Sequence, residues 1–184
     1  MKKSTIIIIA VIIVVLGYVG VSYNRLVSSS ETVDTQWAQV ESQYQRRFDL
    51  IPNLVSSVKG IMKQEQAVFL AIADARTRYA GAATPSDKAA AASEVESSFA
   101  RLLVVMENYP QLKSSETVQT LMAQIEGTEN RVSVERMRYN DFVRSYNVLT
   151  KRIPSSIVAS LFGFDAKAYF QSAEEAATAP KIEF

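Results

Sequence analysis

Glu126 and Glu129, three residues apart with Asn130 next to them, are the closest this chain comes to a reactive site. At that spacing their oxygens occupy adjoining positions on a helix, and hard cations such as calcium or magnesium take oxygen ligands. Carboxylates so placed ordinarily pair with arginine instead, and Arg131 and Arg136 stand close by in the sequence. The chain contains no histidine and no cysteine. Their absence removes the usual general base, the commonest metal ligand, the Glu-x-x-His pairs of di-iron bundles, and thiolate or disulfide chemistry. No glycine-rich phosphate loop is present. Only carboxylates, tyrosines, serines and lysines remain for acid and base work. The expectation is therefore no catalytic residue, no metal and no cofactor. The basic cluster Arg136, Arg138 and Arg144 is interleaved with Glu135 and Asp141, and reads as a solvated helix face, with an anion or lipid-headgroup site as the alternative.

The elements that carry these residues start from an uncharged run. Between Ser4 and Asn24 there is no charge, and Ile6 to Val21 is almost wholly apolar. About 20 such residues suffice to cross a bilayer core of roughly 30 Å. A cleavable secretory signal is the alternative, but the apolar stretch exceeds the usual length of such signals and no A-x-A-like site follows it. Residues 1–24 are thus expected to be a short cytoplasmic stub and a single transmembrane anchor. Lys2 and Lys3 precede the span, whereas Arg25 follows it with Glu31 and Asp34 nearby, so the positive-inside rule sends the remainder to the extracytoplasmic side. Beyond residue 24, 18 basic side chains (the 20 of the chain less Lys2 and Lys3) face 19 acidic ones. That balance argues against a nucleic-acid partner, whose footprint is a basic patch.

After the span, large apolar residues fall at Leu26, Val33, Trp37, Val40, Tyr44, Phe48, Ile51, Val55, Val58 and Met62, and Val68, Phe69, Ile72 and Tyr79 continue the series. The 3.6-residue mean interval predicts one long amphipathic helix with a heptad-like, coiled-coil stripe over about 25–79, kinked at Pro52. Gly81 to Pro85 marks a reversal, and Ser86 is placed to cap a second helix over about 86–108. Asn108, Tyr109 and Pro110 stop it. A third helix over about 115–152 ends before Pro154, with short helical pieces over 155–173. The fold expected is all-α: a transmembrane helix continuing into an antiparallel bundle, residues 25–184, closed by an aromatic C-terminal segment. Gly127, inside the third helix, points to close approach of a neighbour, with a functional notch or kink as the alternative. The tail Pro180 to Phe184 is either tied down or a peptide ligand for a strand-adding partner.

A helix from Tyr23 to Tyr79 would run roughly 85 Å, against about 35 Å for the second helix. Part of its stripe then lacks cover from its own chain. Homo-oligomerisation through Leu26, Val33, Trp37 and Val40 is the expectation, in a membrane-anchored, non-catalytic scaffold whose partners are the lipid bilayer, itself and other membrane proteins. The alternative is a lipid or small-ligand sensor with a pocket lined by Phe162, Phe164, Tyr169 and Phe170.

The block Arg46-Arg47-Phe48-Asp49-Leu50-Ile51-Pro52-Asn53-Leu54-Val55, followed by Val58-Lys59-Gly60, resembles the signature of the LemA family of bacterial membrane proteins. Tyr23-Asn24-Arg25-Leu26-Val27 and Trp37 resemble the family's opening, and Glu107-Asn108-Tyr109-Pro110-Gln111-Leu112-Lys113 its second hairpin. Glu126-Gly127-Thr128-Glu129-Asn130-Arg131 and Tyr139-Asn140-Asp141 resemble its third helix. Phe162-Gly163-Phe164 and Pro180-Lys181-Ile182-Glu183-Phe184 resemble its ending. Gln64-Glu65 departs from it, standing where a His-Glu pair is found in many members. The resemblance implies an anchor in the bacterial inner membrane, an antiparallel helical domain and no assigned enzyme activity. It also singles out Arg47, Asp49, Asn53, Lys59, Glu129, Asn130, Arg131, Tyr139 and Asn140 as polar groups set within helical stripes. The polar network expected between helices comprises Arg47, Asp49, Asn53, Glu129, Asn130 and Arg131, with Asp49 paired to Arg131 or Arg136.

Overall fold

In the computed structural model, which describes residues 3–170 apart from the side chain of Lys113, the stripe beginning at Leu26 is the inner face of one unbroken helix, α1 (Lys3–Lys59). The uncharged run and the first bundle helix are thus a single element, and helical structure continues on both sides of Pro52. None of the most apolar window of α1 is buried within the chain, and by length and composition it is the one described helix able to cross a membrane. From Ser22 onward the buried positions recur at helical intervals: Leu26, Val33, Val40, Tyr44, Arg47, Ile51, Leu54 and Val58.

The helix does not reach residue 79. It stops at Lys59, where Gly60 follows a basic residue in the last turn and the N–H groups of Ile61 and Met62 both return to the Val58 carbonyl, each at 3.0 Å. The chain turns and re-enters helix as α2 (Gln66–Gly81), followed by α3 (Pro85–Met106), the single turn α4 (Pro110–Lys113), α5 (Glu116–Lys151) and α6 (Ser155–Phe162). The expected cap at Ser86 is replaced by Thr84, whose hydroxyl accepts from the Asp87 N–H at 3.1 Å with Pro85 at the first helical position.

Directions follow from the contacts. Gln36 reaches Glu135, Arg47 reaches Glu129, and Leu26 lies in one apolar cluster with Leu149, so α1 and α5 run antiparallel. Lys88 pairs with Glu41 and Glu96 with Arg47, so α3 runs alongside α1 in the same sense, and the three-residue turn 82–84 sets α2 against it. Four helices, α1, α2, α3 and α5, alternate in direction around one core that includes Tyr44, Phe48, Leu54, Tyr79, Phe99, Leu102 and Ile125.

The stripe near the span has cover from its own chain. Leu26, Val33 and Val40 are each 1% exposed or less, and Trp37 is half-buried with its ring edge-on to Tyr139 at 5.2 Å. The cover comes from α5, whose 36 residues extend roughly 54 Å and run past all of these positions to Leu26. At Leu26, α6 completes it through Val158 and Ala159. Leu26, Val33 and Val40 therefore hold the monomer together and are not free to form an oligomer contact, contrary to the sequence expectation, and Trp37 keeps only part of its surface outside.

Gly163, at φ 72°, closes α6 in the left-handed conformation, with Phe164 N–H donating to the Ala159 carbonyl at 2.9 Å. The chain then runs without helix from 164 to 170. The tail Pro180 to Phe184 and the end of the expected 155–173 pieces lie outside the described residues. Gly127, in contrast to Gly163, is required by nothing: a Cβ built on it meets no atom within 4 Å, so close approach of a neighbouring helix does not explain it. Gly127→Ala should therefore raise the unfolding free energy by about 1 kcal/mol. Denaturant unfolding of the full chain in detergent checks this, and a loss of stability would show that the helix needs a glycine there.

Candidate functional site

Arg47 lies on the buried stripe of α1, one turn after Tyr44 and one turn before Ile51, with its side chain only 6% exposed. A guanidinium in that position has to be neutralised, since a buried charge without a partner is costly. It forms an ion pair with Glu129 of α5, and its Nη1 stands 3.4 Å from Glu96 Oε1 of α3. Arg136 of α5 approaches the same Glu96 oxygen at 3.8 Å. The Tyr44 hydroxyl donates to it at 3.2 Å. One carboxylate oxygen is thus shared by three donors from α1 and α5, and the cluster joins three of the four bundle helices.

Burial pushes the Glu96 carboxyl above its ordinary value of 4.5; Arg47 and Arg136 pull it back, and Glu129 adds to the rise. Burial, and then Glu96, push the Tyr44 hydroxyl well above 10, so it remains a donor at any physiological pH. Tyr79, which packs its ring edge on Phe48 at 4.8 Å, is pushed up to about 12 by burial and by Glu41. A small cavity of about 270 Å³ adjoins the cluster, walled by Phe99, Leu103, Met122 and Ile125 together with the charged groups.

A second polar arrangement fixes the segment after α6. Asn140 of α5 grips Phe170 in both directions, donating from Nδ2 to its carbonyl at 3.1 Å and accepting its N–H at 2.8 Å. Asn147, two turns later, does the same to Lys167, at 2.9 and 2.8 Å. Tyr139 donates to the Ala168 carbonyl at 3.1 Å, and Lys167 pairs with Asp34 at 2.6 Å. The Phe170 ring is pressed between Tyr44 (6.1 Å between centroids) and the Arg136 guanidinium (4.2 Å to the ring centroid). Phe162 and Phe164 place their rings edge-on to Tyr23, at 4.9 and 5.7 Å.

Of the network expected from the sequence, Arg47 and Glu129 are brought together. Asp49 is exposed and accepts from Gln45 on its own helix at 2.8 Å, so it pairs with neither Arg131 nor Arg136. Asn53, Asn130 and Arg131 are exposed and stand outside the cluster. Each lies off the stripe that carries its helix into the core, which is why no inter-helix hydrogen bond or ion pair reaches its side chain among the described residues. Because Glu129 is held by Arg47, it does not act as one carboxylate of a Glu126–Glu129 pair. Glu96, Tyr44 and Arg136 complete the cluster and were not singled out together. The signal for Glu96 was its position between Ala92 and Phe99 on the inner stripe of α3, where a charge needs a partner.

The fold and cluster define a class: an antiparallel helical bundle on an apolar helical stalk, with its buried charges satisfied from within. The family model described as the LemA family matches residues 36–184, and the chain belongs to that family. Among its relatives are magnetosome proteins MamQ 2 and MamQ 1 of Paramagnetospirillum magneticum, each 26% identical over 175 residues, covering 81% of this chain and 64% of the relative. The magnetosome protein MamQ of Magnetospirillum gryphiswaldense is 24% identical over 174 residues, covering 80% of this chain and 64% of that protein. The chain thus spans just under two thirds of the length of the curated relatives it matches.

Two outcomes follow for the cluster. Arg47→Met should cost about 3 kcal/mol by leaving Glu129 and Glu96 undercompensated, and adding Glu96→Gln should recover part of that loss in the same denaturation assay. The folded protein holds the Glu96 proton more tightly than the unfolded chain does. Its contribution to stability is therefore full below about 4.5 and declines as pH rises through the higher folded value. Glu96→Gln, fixed in the neutral form, should melt higher than the parent at pH 8, and the gap should close on acidification towards pH 4.5. Melting curves across that range check the sign.

Proposed function

We propose that this protein is a membrane-anchored, non-catalytic scaffold that presents a stiff helical bundle at the surface of a bacterial inner membrane, on the extracytoplasmic side. The observation that carries the reading is the continuity of α1 from Lys3 to Lys59, which leaves no joint between the exposed apolar segment and the bundle core. The non-catalytic part is supported by the use to which the charged groups are put. Arg47, Glu96, Glu129 and Arg136 neutralise one another, and Tyr44 is locked as a donor to Glu96. The aromatic segment is spent on closing the bundle against Tyr23, Trp37 and Tyr44, which favours a structural role for it over a ligand pocket.

Self-association belongs to the proposal, and it falls to side chains that the monomer leaves outside. Met137 of α5 is 61% exposed and Val134 lies one turn before it. Light scattering on the full chain in mild detergent should report an oligomer, and Met137→Asp should reduce it to a monomer with an unchanged melting temperature. Val33→Asp should instead lower the melting temperature, because Val33 is a core residue of the single chain. A wild-type monomer at micromolar concentration would remove self-association from the account. Extraction of the wild-type chain from membranes by alkaline carbonate would remove the anchor.

A further inference from the structure

The outer face of α6 is unsuited to water. The helix Ser155–Phe162 carries no charged residue, and its inner face, Val158 and Ala159, is buried on Leu26 with Val19, Leu149 and Phe164 around it. On the outside, Ile157 and Leu161 stand one turn apart and are 66% and 73% exposed, and Ile153, in the turn just ahead of the helix, is 78% exposed. A surface helix of a water-facing domain shows charged or strongly polar groups outward; the polar side chains of α6 are three serines, Ser155, Ser156 and Ser160, and its large outward groups are apolar. Its position says what meets them. The contacts with Val19 and Tyr23 set α6 level with the last turns of the uncharged run, and Val19 lies about 9 Å along α1 below Arg25, the first charge after the span.

Beside α6, an open groove of about 1030 Å³ runs between α1 and the end of α5. Its wall at the membrane side includes Tyr18 and Val21, and Arg25, Arg144 and Arg152 line it with serine hydroxyls. No aspartate or glutamate lines the groove, and among the described residues none of these three guanidinium groups has an ion pair or hydrogen bond. The arginines are spread along the groove, Arg144 and Arg152 being about 12 Å apart along α5 with Arg152 at its membrane end, and apolar side chains lie among them. Such a carboxylate-free, cationic and partly apolar groove beside the hydrocarbon edge matches an anionic phospholipid.

We propose that α6 and this groove form a membrane seat: Ile153, Ile157 and Leu161 enter the headgroup–acyl boundary, and Arg25, Arg144 and Arg152 hold the phosphate of an anionic phospholipid from the same leaflet. The seat fixes how the bundle stands on the bilayer, which a single spanning helix free to rotate and tilt does not do. The proposal rests on the reading that α1 spans the membrane, and the test separates the two.

The chain has no native cysteine, so single cysteines at Ile157 and Leu161 can carry an environment-sensitive fluorophore in the full protein reconstituted in phosphatidylcholine–phosphatidylglycerol vesicles. Val14 serves as the label within the span and Leu70 as an exposed label on α2. Quenching at 157 and 161 by lipid spin-labelled near the headgroup, and at 14 by lipid spin-labelled deep in the acyl chain, with neither quenching 70, is the expected result. Quenching at 14 without quenching at 157 and 161 overturns the seat and leaves the anchor standing. No quenching at 14 overturns both.

For the groove, native mass spectrometry should show phosphatidylglycerol retained over phosphatidylcholine, whose choline cancels the charge of its phosphate, by about fivefold for each arginine that meets the net negative headgroup. The variant Arg25→Gln, Arg144→Gln, Arg152→Gln should bring the two lipids to parity while keeping its melting temperature, and Arg144→Gln alone should give a partial loss. Equal retention by the wild type overturns the lipid assignment. So does displacement of the lipid by free glycerol phosphate, which would identify a soluble phosphate as the occupant.

Discussion

A helix that passes from an apolar segment into a bundle core without a joint constrains everything packed against it. Rotation of α1 about its axis by one residue, about 100°, would turn Leu26, Val33, Val40 and Arg47 out of the core together. The facing of the apolar segment is therefore tied to the facing of the bundle. The packing reinforces this tie at both ends. Near the span, Leu26 is closed in by α6 and α5; at mid-length, Val33 and Trp37 meet α5 and the segment leading to Phe170; farther out, Tyr44 to Val58 meet the hairpin of α2 and α3 as well. Each stretch of the stripe has a different cover, yet the stripe itself is continuous.

Arg47 is the point at which that geometry becomes specific. Hydrophobic burial tolerates small slips of one helix along another, whereas a guanidinium 6% exposed between Glu96 and Glu129 does not. By joining α1 to α3 and α5 at one level, the cluster sets their register, and the Asn140 and Asn147 grips do the same for residues 167–170. The acids and bases of the chain that are best placed in the core are thus engaged with one another in the resting fold.

Much of this was legible in the sequence. The stripe from Leu26 to Met62 lies on the buried side as its spacing requires, and the expected helices 86–108 and 115–152 correspond to α3 (Pro85–Met106) and α5 (Glu116–Lys151). The break after Lys59 was not read. Met62, Val68, Phe69 and Ile72 keep helical intervals across the turn, and Gly60 behind a lysine was the one sign of a helix end. Without that break the first helix outruns the second, although α5, at 36 residues, is long enough to cover the stretch near the span. Pairing was harder to read than placement. Periodicity tells which residues face inward, but whether Arg47 meets Glu96, Glu129 or neither depends on the axial shift between helices, which no local pattern encodes. The grip of asparagine side chains on an extended backbone leaves still less trace, since it uses the partner's main chain and not its side chains.

The central claim is that α1 is one rigid rod through the boundary between its apolar segment and the bundle. Spin labels on cysteines placed at Val21 and Asp49, both exposed and both on α1, measure it directly in a lipid nanodisc. A continuous helix predicts a narrow distance distribution centred at about 42 Å. A broad distribution, or one centred shorter by roughly 10 Å or more, would mean a hinge between the two labels and would contradict the account.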